Sequence, residues 1–161
     1  MAPLLKGTGS VTNKKFRAVF DTNVYISATL SRNPSSPTKE LIACWQKGEF
    51  ILLICGALAD ELIEKLLESG VEKEDVIEQL TALLELAEWV EVASESIEPV
   101  LPDPDDDVVL ACALIGRADY LVTYDPHFDS LNGEFQGVKV VKALPFLWAV
   151  RGDTPPEVES K

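Results

Sequence analysis

Histidine is almost absent from this chain, since His127 is the only one among 161 residues. Catalysis that depends on several histidines therefore has no basis in the composition. The three cysteines, Cys44, Cys55 and Cys112, lie far apart inside apolar segments. An odd number of cysteines without paired spacing argues against a disulfide framework and against a zinc site. We interpret all three as small buried side chains.

Long apolar runs and targeting signals are also missing. No apolar run, including the one at 50–55, approaches the roughly 20 residues that span a bilayer, and residues 1–13 lack the apolar core of a signal peptide. We therefore expect a cytoplasmic protein. The sequence contains neither of the glycine-rich phosphate loops, which argues against a nucleotide enzyme of those kinds. It also lacks the G-x-S-x-G turn of α/β-hydrolases.

Basic residues are scarce and unevenly placed. The net charge is −13, but residues 1–47 hold seven basic and two acidic residues, a balance of +5. Residues 48–161 carry a balance of −18. This asymmetry favours a molecule with two different faces, although an acidic surface also simply aids solubility.

Apolar patterning predicts strands that alternate with helices. The predicted strands are 16–20, 50–55, 89–92, 120–123 and 138–141, and the predicted helices are 24–30, 38–46, 57–68, 73–86, 106–115 and 145–150. Alternation of this kind is typical of a three-layer α/β/α fold with a mainly parallel sheet, here of about five strands. We expect one domain at 16–150, between a flexible arm at 1–15 and a flexible tail at 151–161.

Four acidic residues fall where such a fold forms its binding sites. Asp21 follows the first predicted strand and Asp125 follows the fourth, while Glu61 and Asp107 lie early in predicted helices. Ligand sites in open parallel sheets form beyond the carboxyl ends of the strands. Clustered carboxylates repel each other unless a cation neutralises them, and oxygen ligands without a His/Cys cluster suit Mg²⁺ or Mn²⁺.

Each acidic residue also has an ordinary explanation. Asp21 could cap a helix, Glu61 could belong to a solvated helix face together with Asp60, and Asp107 could interact with a helix dipole. Asp125 could be a turn residue before a proline. Their joint placement in one alternating fold favours the metal site.

Four segments resemble the motifs of PIN-domain nucleases, and the likeness extends from about Arg17 to Trp148. They are FDTNVYIS at 20–27, LADELIEKL at 58–66, DPDDDVVLACAL at 103–114 and ADYLVTYDPHF at 118–128. The resemblance, which is greatest to the toxins of toxin–antitoxin pairs, implies a flavodoxin-like sheet and cleavage of single-stranded RNA with Mg²⁺ or Mn²⁺. It also implies homodimers or higher oligomers and an antitoxin partner.

Residue roles follow from this resemblance. Asp21 and Asp107 are expected to hold the principal metal, with Asp125 and Glu61 supporting it or a second ion. Glu61 is preferred to Asp60 because it flanks the inward line of its helix. Three further side chains would orient ligands or extend the acidic rim: Asn23, Thr123 and Asp103.

Basic residues of the N-terminal third are candidates for binding RNA phosphates: Lys14, Lys15, Arg17, Arg32 and Lys39. His127, after a proline in a turn, is interpreted as a surface or packing residue rather than a general base. Two alternative functions stay open at this point. One is a non-catalytic PIN-like module that binds RNA or a partner. The other is a receiver-type phosphoacceptor domain in which Thr123 and Lys142 would serve, although no acid closely follows the predicted strand 89–92.

Overall fold

A computed structural model of the protein describes residues 14–153. Residues 1–13 and 154–161 lie outside the described part, so most of the predicted arm (1–15) and tail (151–161) does too. The strands are β1 Arg17–Phe20, β2 Ile51–Ile54, β3 Glu88–Trp89, β4 Tyr120–Val122, β5 Glu134–Phe135 and β6 Val138–Val141. The α-helices are α1 Thr22–Leu30, α2 Pro37–Gln46, α3 Gly56–Glu68, α4 Lys73–Leu86, α5 Pro104–Ile115 and α6 Ala143–Arg151. Short 3₁₀ helices occupy Ser94–Ser96 and Pro126–Leu131.

The six strands form one sheet in the order β3-β2-β1-β4-β6-β5. All neighbouring pairs are parallel except β5 with β6, which form an antiparallel hairpin. From β1 to β3 the chain adds each new strand towards one edge of the sheet. From β3 it then returns past β1 and adds β4 on the other side of β1. Right-handed crossovers therefore place α5 on the opposite face from α1 to α4. The predicted α/β/α fold with a mainly parallel sheet is confirmed.

Several predicted boundaries differ from those observed. The strand predicted at 89–92 is only Glu88–Trp89, and the last helix is longer than the predicted 145–150. The helix predicted to begin at 106 begins at Pro104, with Asp103 as its N-cap residue. The antiparallel strand β5 was not predicted at all.

The central strands are buried on both faces. Residues 18–20 of β1 and 52–54 of β2 have no exposed surface, and neither do Leu121 and Val122 of β4. Continuous apolar strands of this kind are typical of parallel sheets covered by helices. Within residues 14–153, no helix is long and apolar enough to cross a membrane.

The direction of chain connections reverses between β1 and β4. The connection after β1 leads to β2, towards one edge of the sheet. The connection after β4 leads towards the opposite edge, where β5 and β6 lie. Such a reversal opens a crevice at the carboxyl ends of the two strands, where ligands of open α/β sheets bind. Their register, with Phe20 opposite Val122, brings the next residues of both strands to the same level.

Candidate active site

The ends of β1 and β4 are joined through a buried carboxylate. Asp21 follows β1 and its backbone N–H donates to the carbonyl of Val122 at 2.9 Å. The hydroxyl of Thr123 donates to Asp21 Oδ2 at 2.7 Å, and the Thr22 N–H donates to Asp21 Oδ1 at 2.8 Å. Only 5% of Asp21 is exposed. This carboxylate is thus fixed at the crevice by both strands.

Thr123 also positions the next acidic residue along the chain. Its hydroxyl oxygen accepts the backbone N–H of Asp125 at 2.9 Å, and the Asp125 carboxylate in turn accepts the N–H of His127 at 2.9 Å. Asp125 thereby caps the 3₁₀ helix at Pro126–Leu131. The ordinary turn role of Asp125 is therefore real, and it also holds the carboxylate at the edge of the crevice.

The two neighbouring acids of α5 point to different places. The Asp107 carboxylate accepts the backbone N–H groups of Val100 at 3.0 Å and Leu101 at 2.8 Å, so it holds the loop that precedes the helix. Asp106 instead offers an oxygen to the crevice, where it groups with Asp21 and Asp125. The sequence predicts Asp107 as a metal ligand, whereas the structure brings Asp106, and not Asp107, into this cluster. The physical reason is that adjacent residues of a helix lie about 100° apart around its axis.

Asp21, Asp106 and Asp125 form the acidic core of the crevice. One oxygen from each carboxylate lies within 4.8 Å of the others, and these three residues come from three separate segments. Burial raises the pKa of Asp106 to about 6, and the negative charges of Asp125 and Asp21 act in the same direction. Burial likewise raises the pKa of Asp21. Three crowded carboxylates, two of them buried, match the hard oxygen donor set that Mg²⁺ and Mn²⁺ take in proteins.

Glu61 lies near this core without joining it. Its Oε2 accepts from Lys65 Nζ at 3.2 Å, one helical turn along α3. Burial raises the pKa of the Glu61 carboxyl group, and the charges of Asp105 and Asp21 add to this effect. Asp60 is exposed. Glu61 is half-buried and senses the charge of Asp21, and the preference for Glu61 over Asp60 stays a prediction.

The predicted supporting residues surround the acidic core. The Asn23 amide donates to Asp21 Oδ2 at 3.3 Å, and its carbonyl oxygen accepts the backbone N–H of Tyr124 at 3.1 Å. Asp103 caps α5 through the N–H of Asp105 at 2.9 Å. Its carboxylate also falls within 4.8 Å of ligand atoms of Asp106 and His127.

Two further side chains contact acids of the site: His127, which the sequence analysis interprets as a surface or packing residue, and Lys65, which it does not consider. The Nδ1 of His127 lies 3.0 Å from Asp106 Oδ2 and 3.4 Å from Asp125 Oδ1. The hydrogen bond to Asp106 raises the pKa of His127, and the Asp125 charge adds to it. One sequence signal would have located His127 near the crevice, namely its position in the turn Asp-Pro-His directly after a predicted strand. Nothing in the sequence pairs it with an acid 21 residues earlier.

The basic residues predicted to bind RNA lie in three places. Lys14, Lys15 and Arg17 precede or begin β1, at the opposite end of the strand from Asp21. Arg17 is engaged there, because its guanidinium donates to both carboxylate oxygens of Glu88 and to the Gly116 carbonyl. Arg32 is exposed in the loop after α1, and the half-buried Lys39 lies in the first turn of α2.

Comparison with known proteins agrees with the fold. The family model of the PIN domain matches residues 17–127. No curated protein gives a significant match. A solved structure, that of VapBC2 from Rickettsia felis bound to a DNA fragment from their promoter, is 15% identical with a TM-score of 0.55. The alignment covers 77% of this chain and 96% of that chain. At this identity the likeness concerns the fold.

The family match covers much more of the chain than any single motif. It extends over most of the chain, from the first residue of β1 to the turn that follows β4, and it includes all three acids of the core. The chain therefore belongs to the PIN-domain family.

Proposed function

We propose that this protein is a metal-dependent ribonuclease that hydrolyses phosphodiester bonds of single-stranded RNA. One observation carries the proposal, namely the meeting of three carboxylates from three separate segments at the strand-order reversal. Membership of the PIN-domain family supports nuclease chemistry. The single histidine is consistent with a mechanism that uses no histidine nucleophile.

Asp21, Asp106 and Asp125 would hold Mg²⁺ or Mn²⁺. A bound ion of this kind lowers the pKa of a water ligand and stabilises negative charge on phosphate oxygens. Thr123 and Asn23 keep Asp21 in place by donating to its Oδ2. Outer hydrogen bonds of this type orient metal ligands and tune their affinity.

Glu61 and His127 would act at the rim of the site. Glu61, held by Lys65, adds negative charge close to Asp21 and supports the principal ion or a second one. His127 contacts two of the core carboxylates and limits how their side chains can rotate. Asp107 has a structural role in this proposal, since both of its hydrogen bonds hold the loop before α5.

In the cell, the protein would act as the toxin of a toxin–antitoxin pair. The fold shared with VapBC2 supports it, since that structure contains both components of such a pair. The same reasoning suggests an antitoxin partner, a homodimer or higher oligomer, and a cytoplasmic location. We expect induced expression of the wild-type protein to slow cell growth, and expression of Asp106→Asn to leave growth unchanged.

A cleavage assay tests the proposed chemistry. Purified protein is incubated with short single-stranded RNA in Mn²⁺, in Mg²⁺ or with a chelator. We expect cleavage only with a divalent ion, and loss of cleavage in Asp21→Asn and Asp106→Asn. Asp75→Asn, at an exposed acid in the first turn of α4 and outside the three-carboxylate core, serves as the matched control and should stay active. RNA that is bound but uncut by the metal-loaded protein would instead favour the non-catalytic PIN-like module.

A further inference from the structure

A cavity that the proposed chemistry does not use opens beside Asp125. It has a volume of about 300 Å³ and lies between the turn after β4 and the end of β6. Its lining includes Tyr124, Phe128, Asp129 and Lys142. This volume is at the lower end of the range for small-molecule sites, roughly 300–1,000 Å³, so the cavity suits one small planar group.

Tyr124 is the accessible aromatic side chain of this cavity. It is 39% exposed, although its neighbour Thr123 is only 5% exposed. The backbone N–H of Tyr124 donates to Asn23 Oδ1 at 3.1 Å, which fixes this turn to α1. A tyrosine on a fixed backbone loses little conformational entropy when a flat ligand stacks on it, because it has only two rotatable side-chain bonds.

Among the described residues that line the cavity, Lys142 supplies the only positive charge. It is exposed, follows the last residue of β6 and makes no ion pair within residues 14–153. The other charged lining residues, Asp125 and Asp129, are acidic. Without Lys142 the cavity would repel any phosphate, so this residue determines whether an anionic ligand can approach.

We propose that this cavity holds one nucleotide of single-stranded RNA, with its base stacked on Tyr124 and a phosphate beside Lys142. An aromatic face next to a cation is the combination by which proteins hold single strands, because every base has a π-face and every nucleotide a charge. The inference rests on the proposed function and deepens it, since the cavity borders Asp125. A strand in the cavity would lead its backbone towards the three carboxylates.

Binding, rather than cleavage, tests this site. Asp21→Asn protein with Mg²⁺ is titrated with a short fluorescein-labelled oligoadenylate and with a base-free oligomer of the same length. Tyr124→Leu should weaken binding of the oligoadenylate by about 5-fold to 150-fold, the range of one base–aromatic stack. It should leave binding of the base-free oligomer unchanged. Tyr124→Phe, which retains the ring, should bind both like the parent.

Lys142 has a separate signature in the same titration. Lys142→Gln should weaken binding of both oligomers alike and reduce the slope of log affinity against log salt concentration by about 0.7. Lys139→Gln is the matched control, because it removes an equal charge from the opposite end of β6, where Lys139 lies 5.9 Å from the Tyr120 ring centre. That variant should keep the parent slope.

Several outcomes overturn the nucleotide site. Equal weakening of both oligomers by Tyr124→Leu would reveal a structural role, and no weakening of either would show that the base lies elsewhere. Absence of RNA binding by the parent would also end the proposal. Cleavage by the wild-type protein is measured separately. If it cleaves while Tyr124→Leu binds normally, only the nucleotide site fails. If it does not cleave but the base-dependent loss is found, only the nuclease proposal fails.

Discussion

Replacing Asp106 and Asp107 one at a time should give opposite effects, although the two residues are adjacent and chemically identical. Asp106→Asn removes a charge from the crowded carboxylate core. Asp107→Ala removes the acceptor for two backbone N–H groups of the preceding loop. We expect the first variant to stabilise the metal-free protein and to abolish its response to Mn²⁺. The second should destabilise the protein and leave that response intact.

The size of the Asp106 effect follows from its pKa, which burial raises from 3.8 to about 6. One pKa unit corresponds to about 1.4 kcal/mol, so ionised Asp106 lowers the free energy of unfolding by on the order of 3 kcal/mol at pH 7. This loss is absent below about pH 4, develops as the pH rises towards 6 and is complete above it. Asparagine keeps an acceptor for His127 Nδ1 and removes the charge. The variant should therefore gain roughly 1–3 kcal/mol in chelator.

The size of the Asp107 effect follows from its hydrogen bonds. Leu101 is only 7% exposed, so its N–H has little access to water once the carboxylate is gone. A buried donor left without a partner costs about 1–3 kcal/mol. With the second bond, to Val100, we expect Asp107→Ala to lose about 2–4 kcal/mol. Asp107→Asn keeps the Oδ1 acceptor of both bonds and should lose only about 1 kcal/mol.

Urea unfolding in chelator and in Mn²⁺ measures both effects together. A ligand at 100 times its Kd stabilises the folded state by about 2.7 kcal/mol, which is the increment expected for the wild type and for Asp107→Ala. Asp106→Asn should show no increment. Loss of the Mn²⁺ increment in Asp107→Asn, with the increment retained in Asp106→Asn, would refute the geometric assignment and restore the one made from sequence.

Three further substitutions probe the scaffold of the site. Thr123→Val removes the hydroxyl that donates to Asp21 and should lower the free energy of unfolding by about 1.5–3 kcal/mol, whereas Thr123→Ser should restore it; equal stability in urea would contradict this role. Arg17→Gln breaks the ion pair with Glu88 and should cost about 1 kcal/mol while RNA affinity in a titration stays unchanged. Reduced affinity at unchanged stability would instead support the RNA contact predicted from sequence. Gly116→Ala would place a Cβ 2.9 Å from a valine methyl and 3.0 Å from a backbone carbonyl, so thermal unfolding should reveal a loss of about 1–3 kcal/mol.

The strands and long helices were predictable because each carries its own local signal. The apolar run in β2 and the 3.6-residue spacing in α3 and α4 depend on neighbouring residues alone. Strand β5 has no such signal, since it has only two residues, Glu134 and Phe135. It exists because Gln136 and Gly137 both adopt positive φ, at 49° and 91°, and turn the chain back as a two-residue hairpin. Glutamine gives no sequence indication of such a turn, unlike the asparagine or aspartate that usually precedes glycine there.

The candidate site was predictable at the strand ends and not at the helix start. Asp21 and Asp125 are placed by β1 and β4, whose parallel register makes their carboxyl ends meet. The α5 acid depends on how the helix is rotated about its axis, and this rotation is set by the packing of its buried apolar residues against the sheet. Adjacent helical residues lie about 100° apart. With four aspartates among residues 103–107, the local pattern therefore does not identify the one that faces the crevice.

The acidity of the protein becomes understandable once its charges are placed. The basic residues predicted to bind RNA lie at the far end of β1 or on the segment from Arg32 to Lys39, and Arg17 is neutralised by Glu88. Within residues 14–153, the groups beside the crevice that can carry positive charge include Lys65 and His127, and both already contact acids. The charges of the protein alone therefore attract RNA phosphates only weakly to these carboxylates. In the proposed function the positive charge beside the scissile phosphate comes from bound divalent ions, so a strongly acidic chain and an RNA substrate are compatible.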